Sequence, residues 1–389
     1  MAVLARSRRP SLALERRRPR PDFVTVFVLI LLGALGALMI YSSSAPRLEA
    51  LGGDPQNLMR RQIIFLLVGA AIFTVASLYD YRDLRHLAPL IYATAIVMLL
   101  VVLTPLGHVA QGAQRWIQLG AFQLQPSELA KPVLIITLAA LLAPAREEGM
   151  RWRRVGQALA VAAAPSVLIF VQPDLGTMLV FAFITLAMLF VAGTTGRQLA
   201  VLLAGAGLGV AAVLRLRLLR DYQVARLTAF LDPTADPTQA GYNQLQSQIA
   251  IGSGQMFGKG LFGGTQTNLA FVPSQSTDFI FTAVGEQLGF VGAALVLLAY
   301  LALLWRVLTV AVAARDRFGL LIAVGTASLV GFHIFINVGM TVGVMPVTGL
   351  PLPFMSHGGS SVAAMSLALG VTHSVWLRRS PVPGETYIL

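Results

Sequence analysis

The chain of 389 residues contains no cysteine. Disulfide frameworks, thiol nucleophiles and thiolate metal sites are thereby excluded. Charge is scarce too: Asp, Glu, Lys and Arg make up 12% of the residues, where a soluble domain carries about 25%. Acids are scarcest, 17 against 29 Lys and Arg. The five histidines, His86, His108, His333, His357 and His373, form no His-x3-His or similar pair, so no structural zinc pattern is present.

What fills the chain instead is apolar: 56% of it is hydrophobic. A membrane span needs about 20 mostly apolar residues. Ten such runs are expected, at 23–42, 62–79, 87–104, 128–143, 155–171, 175–193, 198–216, 279–304, 319–341 and 360–377. The fold class is therefore an all-α integral membrane protein of about ten transmembrane helices. Residues 1–22 form a basic tail, 23–379 a single polytopic membrane domain and 380–389 a C-terminal tail. Phe23 to Ile40 is too long for a typical signal-peptide core and reads as a retained first span.

The net charge of +12 is explained by topology rather than by nucleic acid, and no nucleic-acid partner is expected. Cytoplasmic loops collect Arg and Lys. With both termini cytoplasmic, 19 of the 29 basic residues lie inside. That orientation puts Lys131, Lys259 and Asp278 on the outer side. The segment of about 60 residues from 217 to 278, between the seventh and eighth spans, is far longer than a connection requires. The segments 105–127 and 342–359 are also outer and rich in Gly, Pro and Gln. Function is expected on that face.

Asp278 ends a polar stretch and precedes an apolar run. A carboxylate at the mouth of a membrane helix is costly unless paired, hydrated or used. Glu286 lies eight residues on, within reach of the same cavity if both sit on one helix, although an interhelical ion pair suits it better. Around the motif Gly112-Ala113-Gln114-Arg115-Trp116, the later Gln125-Pro126-Ser127-Glu128 suits a helix start. Lys131 follows Glu128 by three residues, giving either a self-neutralised pair or a cation facing an outer cavity. Asp174 in Gln172-Pro173-Asp174 is either an N-cap or an acid ordering such a cation. Arg60 and Arg61 either snorkel to headgroups or present a fork to pyrophosphate.

Two outer stretches are dominated by glycine and proline. The run Gly252-Ser253-Gly254-Gln255-Met256-Phe257-Gly258-Lys259-Gly260 fails the Walker spacing and suits a backbone lying against a substrate or a neighbouring loop. Residues Tyr242 to Ile251 suit a surface helix in the headgroup region. The stretch Pro346 to Ser361 cannot be a regular helix, and such backbone is tolerated at membrane depth only inside protein or along a watery cavity.

Taken in order from Arg61-Gln62 to Ser361, these motifs resemble the SEDS family (shape, elongation, division and sporulation). Phe230-Leu231-Asp232-Pro233, Gly241-Tyr242-Asn243 and Asn337-Val338-Gly339-Met340 are nearer its rod-shape branch. Gly285-Glu286-Gln287-Leu288-Gly289 is nearer its division branch. The resemblance implies a ten-span peptidoglycan glycosyltransferase of the bacterial cytoplasmic membrane that polymerises lipid II on the outer face. A lipid II flippase and a non-catalytic scaffold are the alternatives. It implies Asp278 as the catalytic acid, a general base or the ligand of a divalent cation such as Mg or Mn. Arg61, Lys131 and Asp174 match positions that matter for activity. With Glu128, Ser356 and His357 they make up the expected substrate-binding set. The implied partners are lipid II, the growing glycan strand, a class B penicillin-binding protein and the elongation machinery. Two departures stand out: Ser274 where the family has Glu, and His357 where it has Tyr.

Overall fold

The computed structural model describes residues 21–110, 113–120, 122–144, 150–217, 219, 221–232 and 240–379. The terminal tails and the motif residues Gly112 and Pro233 lie outside the described residues. All ten expected spans are helices. In chain order they are α1 (Phe23–Ala50), α2 (Asn57–Leu78), α3 (Leu84–Val102), α4 (Pro126–Leu142), α5 (Trp152–Val171), α6 (Leu175–Val191) and α7 (Gly196–Arg215). After the long segment come α11 (Ile280–Ala313), α12 (Arg317–Val342) and α13 (Gly359–Leu377). Among the described residues eight helices are long and apolar enough to cross a membrane; α4 and α6, at 17 residues each, are shorter. Their starts follow side-chain capping: Asp22, Asp174 and Asp316 accept from backbone N–H groups, and Thr195 with Gln198 forms a capping box.

The connections hold more structure than the expected all-helical class. Residues 107–124 form a three-stranded antiparallel sheet of β1 (Gly107–Ala110), β2 (Ala113–Leu119) and β3 (Phe122–Leu124). The long segment carries α8 (Asp221–Leu231), α9 (Ala240–Ser253) and the single turn α10 (Thr265–Asn268). The surface helix expected from Tyr242 to Ile251 is α9, but it is docked rather than free. Gln244, Ser247 and Ala250 are buried, and Ser247 Oγ donates to Thr341 O at 2.7 Å.

One end of the bundle is clamped by ion pairs. Arg306 of α11 meets Asp22 at 2.9 Å, and Asp22 N donates to His373 of α13. Tyr81 donates to Asp316 at 2.7 Å, and Arg378 meets Asp80 at 3.2 Å. Both described ends of the chain therefore lie at the same end of the helices. The sheet, α8, α9 and Asp278 lie at the other. Central α13 is almost wholly buried and peripheral α7 is exposed along nearly all its length, which leaves α7 facing lipid.

At the Asp278 end, α11 is broken at Gly289 (φ 66°, ψ −166°), backbone that only glycine adopts readily. The glycine run from 252 to 260 fills the break. Lys259 N and Gly260 N donate to Glu286 O and Gln287 O, each at 3.0 Å. Phe290 N and Val291 N donate to Gln255 O and Met256 O at 2.8 and 3.1 Å. The run thus meets neighbouring backbone, and its glycines are needed for the approach. A Cβ on Gly289 would stand 2.2 Å from Gly258 N. Gly289→Ala is expected to cost at least about 3 kcal/mol, combining strain and clash. Gly205→Ala, in open space on α7, is expected to be neutral or slightly stabilising. Thermal unfolding in detergent compares the two; equal midpoints would refute the account.

Candidate active site

Asp278 sits in the turn that leads into α11, one residue before its N-cap. Ser274 closes this turn in the left-handed region (φ 53°), and its carbonyl accepts the N–H groups of Thr277 and Asp278 at 3.1 Å and of Phe279 at 3.4 Å. The carboxylate therefore stands at the positive end of the helix dipole. On the opposite side, Asn337 of α12 donates to Asp278 O and to Leu350 O, both at 2.8 Å. That amide ties the turn to the irregular segment 343–358. At Gly349 of that segment an added Cβ would lie 3.5 Å from Asp278 Oδ2 and 3.9 Å from Arg226 Nη1. Carboxylate, guanidinium and a glycine without a side chain thus share one corner.

Two guanidiniums act on Asp278, and both hang on one turn. Arg115 of β2 donates Nε to Gln172 O at 2.9 Å, Nη2 to Pro173 O, and Nη2 to Tyr222 Oη at 3.4 Å. Arg226 of α8 lies 5.7 Å over the Tyr222 ring, and Tyr222 donates to Pro173 O at 2.9 Å. Asp174 stands 4.0 Å from Arg115 Nη1 while capping α6 through Thr177 N at 3.2 Å. Its two readings from sequence, cap and partner of a cation, are both realised, but the cation is Arg115. Burial raises the Asp278 carboxyl above the ordinary range; the charge of Arg226, then a hydrogen bond from Thr277 and the charge of Arg115, oppose this without cancelling it.

Other expected site residues fall in different places. Lys131 is fully buried, held by Glu128 at 2.5 Å and by His333 Nε2 at 3.1 Å. His333 Nδ1 contacts Pro351 O at 3.0 Å. The pair is the self-neutralised one, and it braces the 343–358 segment instead of facing a cavity. Ser356 is buried, and its Oγ accepts from Leu352 N at 2.8 Å. Arg61 is exposed and lies near His357, whose backbone N–H donates to Ser276 O at 2.9 Å. Burial first, and Arg61 second, push the His357 imidazole down to about 4, so it is neutral at pH 7. Glu286 takes the ion-pair role expected of it, with partners other than Asp278. It is buried and accepts from Lys259 at 3.2 Å, Gln266 N at 2.8 Å and Thr267 N at 2.9 Å.

Arg115 and Arg226, rather than Lys131 and Arg61, are the cations that reach Asp278. The signal for Arg226 was its place four residues after Tyr222, where an aromatic–arginine pair shares a helix face. A divalent cation finds a poor home here. Among the described residues no three His, Asp or Glu side chains converge, and the groups facing Asp278 are guanidiniums. The residues present do not fit a metal.

Because Arg226 lowers the Asp278 carboxyl, its removal leaves burial less opposed. Arg226→Gln is expected to shift the acid limb of activity to higher pH, since a base must be deprotonated to act. A pH–rate profile superimposable on the wild type would contradict the assignment.

A family profile described as "Cell cycle protein", covering FtsW, RodA and SpoVE, matches residues 22–380. Stage V sporulation protein E of Bacillus subtilis is 36% identical over 363 residues, 92% of this chain and 98% of that one. The peptidoglycan glycosyltransferase MrdB of Escherichia coli is 36% identical over 365 residues, 92% of this chain and 94% of that one. Among solved structures, one described as "Structural coordination of polymerization and crosslinking by a peptidoglycan synthase complex" superposes with a TM-score of 0.77 at 33% identity, covering 92% of this chain and 98% of that one. The Thermus thermophilus rod shape determining protein RodA gives 0.69 at 29% identity, covering 93% and 98%. With the collinear motifs and the helical membrane architecture, these matches make the chain a member of the FtsW/RodA/SpoVE family of multi-pass membrane proteins.

Proposed function

We infer that this protein is a peptidoglycan glycosyltransferase that polymerises lipid II into glycan strands for cell elongation and shape. The observation that carries the reading is a raised carboxyl at a helix mouth faced by two guanidiniums, in a chain related throughout to peptidoglycan glycosyltransferases. Asp278 serves as the general base. A hydroxyl of the acceptor sugar gives its proton to Asp278 as its oxygen bonds to the donor's anomeric carbon. The bond from that carbon to the pyrophosphate oxygen breaks, and the lipid pyrophosphate leaves with the electron pair. Arg226 and Arg115 offset the charge that develops on it. The raised carboxyl brings the base nearer the working pH.

Around this pair we assign supporting roles. Asp174 holds Arg115 in place. Glu128 and Lys131, locked with His333, keep the 343–358 segment in register behind Asp278. Arg61 and the neutral His357 stand where a second anionic group of the substrate would pass. Ser356 acts through the backbone of the same segment. The protein sits in the bacterial cytoplasmic membrane with Asp278 facing outward, a reading supported by the excess of Arg and Lys on the opposite side. A class B penicillin-binding protein and the elongation machinery are its proposed partners, supported by the likeness to a protein solved within a peptidoglycan synthase complex.

A lipid flippase would need polar groups along a path through the bilayer. Among the described residues the buried charged side chains are Asp22 at one end and Glu128, Lys131, Asp174 and Glu286 at the other. That distribution favours chemistry at one face. Asp278→Asn is expected to reduce polymerisation of fluorescent lipid II by about 100-fold or more, with expression and thermal unfolding preserved. Polymer formed by the purified variant at the wild-type rate would overturn the mechanism.

A further inference from the structure

Arg115 and Arg226 come from a strand and a helix far apart in the chain, yet one side chain touches both. Tyr222, in the first turn of α8, donates its hydroxyl to Pro173 O at 2.9 Å and accepts from Arg115 Nη2 at 3.4 Å. Its ring carries Arg226, whose Cζ stands 5.7 Å from the ring centroid. A tyrosine suits this double duty, because its body is an aromatic face and its tip a hydrogen-bonding group. The spacing of four residues puts Tyr222 and Arg226 on one face of α8.

The turn that Tyr222 grips is itself tied to the bundle. Gln172 is buried, and its Nε2 donates to Leu99 O of α3 at 3.0 Å. Asp174 caps α6 from the same turn. Gln223, also buried, donates to Pro173 O at 3.4 Å and gives the first turn of α8 a second link. Further along, α8 packs on α9. Arg226 lies one helical turn beyond Tyr222. Its Nη1 and Asp278 Oδ2 both come within 4 Å of the place a Cβ would take on Gly349. Where the Arg226 charge falls relative to Asp278 thus depends on the ring beneath the guanidinium and on the hydroxyl that pins α8 to the 172–174 turn.

We propose that Tyr222 is a positioning residue for the transfer: its hydroxyl pins α8 and Arg115 to the Gln172–Pro173 turn, its ring seats Arg226 toward Asp278, and the two guanidiniums thereby act as one unit. The proposal rests on the polymerase reading above. The charged groups facing Asp278 are Arg226 from α8 and Arg115 from β2, with a hydrogen bond from Thr277 of its own turn. Those facing Tyr222 are the same two arginines, with Asp174 beside Arg115. Arg226 lowers the Asp278 carboxyl, so an Arg226 that has lost its seat opposes burial less. The carboxyl then rises, and the acid limb of activity, where the base is lost to protonation, moves to higher pH.

The test measures polymerisation of fluorescent lipid II across pH by the full chain in detergent. Tyr222→Phe keeps the ring and loses the hydroxyl, and is expected to lower kcat about fivefold with the acid limb unmoved. Tyr222→Leu loses both, and is expected to lower kcat about 25-fold and to move the acid limb to higher pH, as Arg226→Gln does. Tyr222→Gln keeps a hydrogen-bond donor but offers no ring. It is expected to move the limb equally, and it remains informative if Tyr222→Leu fails to fold. In the Arg226→Gln background Tyr222→Leu is expected to add no further movement, because the charge it positions is gone. A merely structural tyrosine would lower the thermal unfolding midpoint and leave the limb in place. The assignment is overturned if neither Tyr222→Leu nor Tyr222→Gln moves the limb, if Tyr222→Phe moves it as far as they do, or if the movement persists undiminished without Arg226. Asp278→Asn, run alongside, separates the two readings. Activity there strikes at the polymerase mechanism, whereas an inactive Asp278→Asn with an unmoved limb in Tyr222→Leu and Tyr222→Gln strikes at the role of Tyr222 alone.

Discussion

A carboxylate at the edge of a low-dielectric helix bundle must be compensated, and the arrangement around Asp278 follows from that constraint. Its backbone is held from one side by the Ser274 carbonyl turn and from the other by the Asn337 amide. Its charge is met by Arg226 and Arg115. Arg115 is held by the Gln172–Pro173 turn beside the Asp174 cap of α6, and Arg226 lies over Tyr222, which donates to the same turn. Compensation is incomplete, so the carboxyl stays raised, and an acid that is costly to ionise is a useful proton acceptor near neutral pH.

The second constraint is backbone satisfaction. Two irregular segments stand at the same end of the helices, and each is paired group by group. The glycine run from 252 to 260 exchanges hydrogen bonds with the broken turn of α11 at Gly289. The 343–358 segment is pinned by His333 at Pro351, by Asn337 at Leu350 and by Gln62 at Ser356 O, at 3.2 Å. Three anchors on two spans, α2 and α12, thus hold a non-helical floor beneath Asp278. Glu128 and Lys131 belong to this scaffold, since Lys131 positions His333.

Much of the architecture was legible in the chain. Apolar runs of about 20 residues have one economical solution in a bilayer, so the ten helices were readable one by one. Helix starts at Pro126 and Asp174 were readable from local capping chemistry. The irregularity of 346–358 followed from its prolines and glycines. The small sheet at 107–124 was not readable, because its strands are short and lack a sustained alternation. The docking of α9 was hidden for a related reason: its buried face is made of Gln244, Ser247 and Ala250, which carry no hydrophobic stripe.

The sequence by itself determined the class of protein and marked Asp278 as an acid at a helix mouth. Scarcity of charge in an apolar chain makes each buried or helix-mouth acid conspicuous. Tertiary structure decided which cation serves it. Lys131 and Glu128 are three residues apart and neutralise each other on one helix, a local possibility the chain displayed but did not choose between. Arg115 and Arg226 lie 163 and 52 residues before Asp278, on a strand and a short helix, and reach it only once the 172–173 turn is folded against both. Coulomb attraction acts over a few ångströms of space, not along the chain, and so it took the fold to pair them.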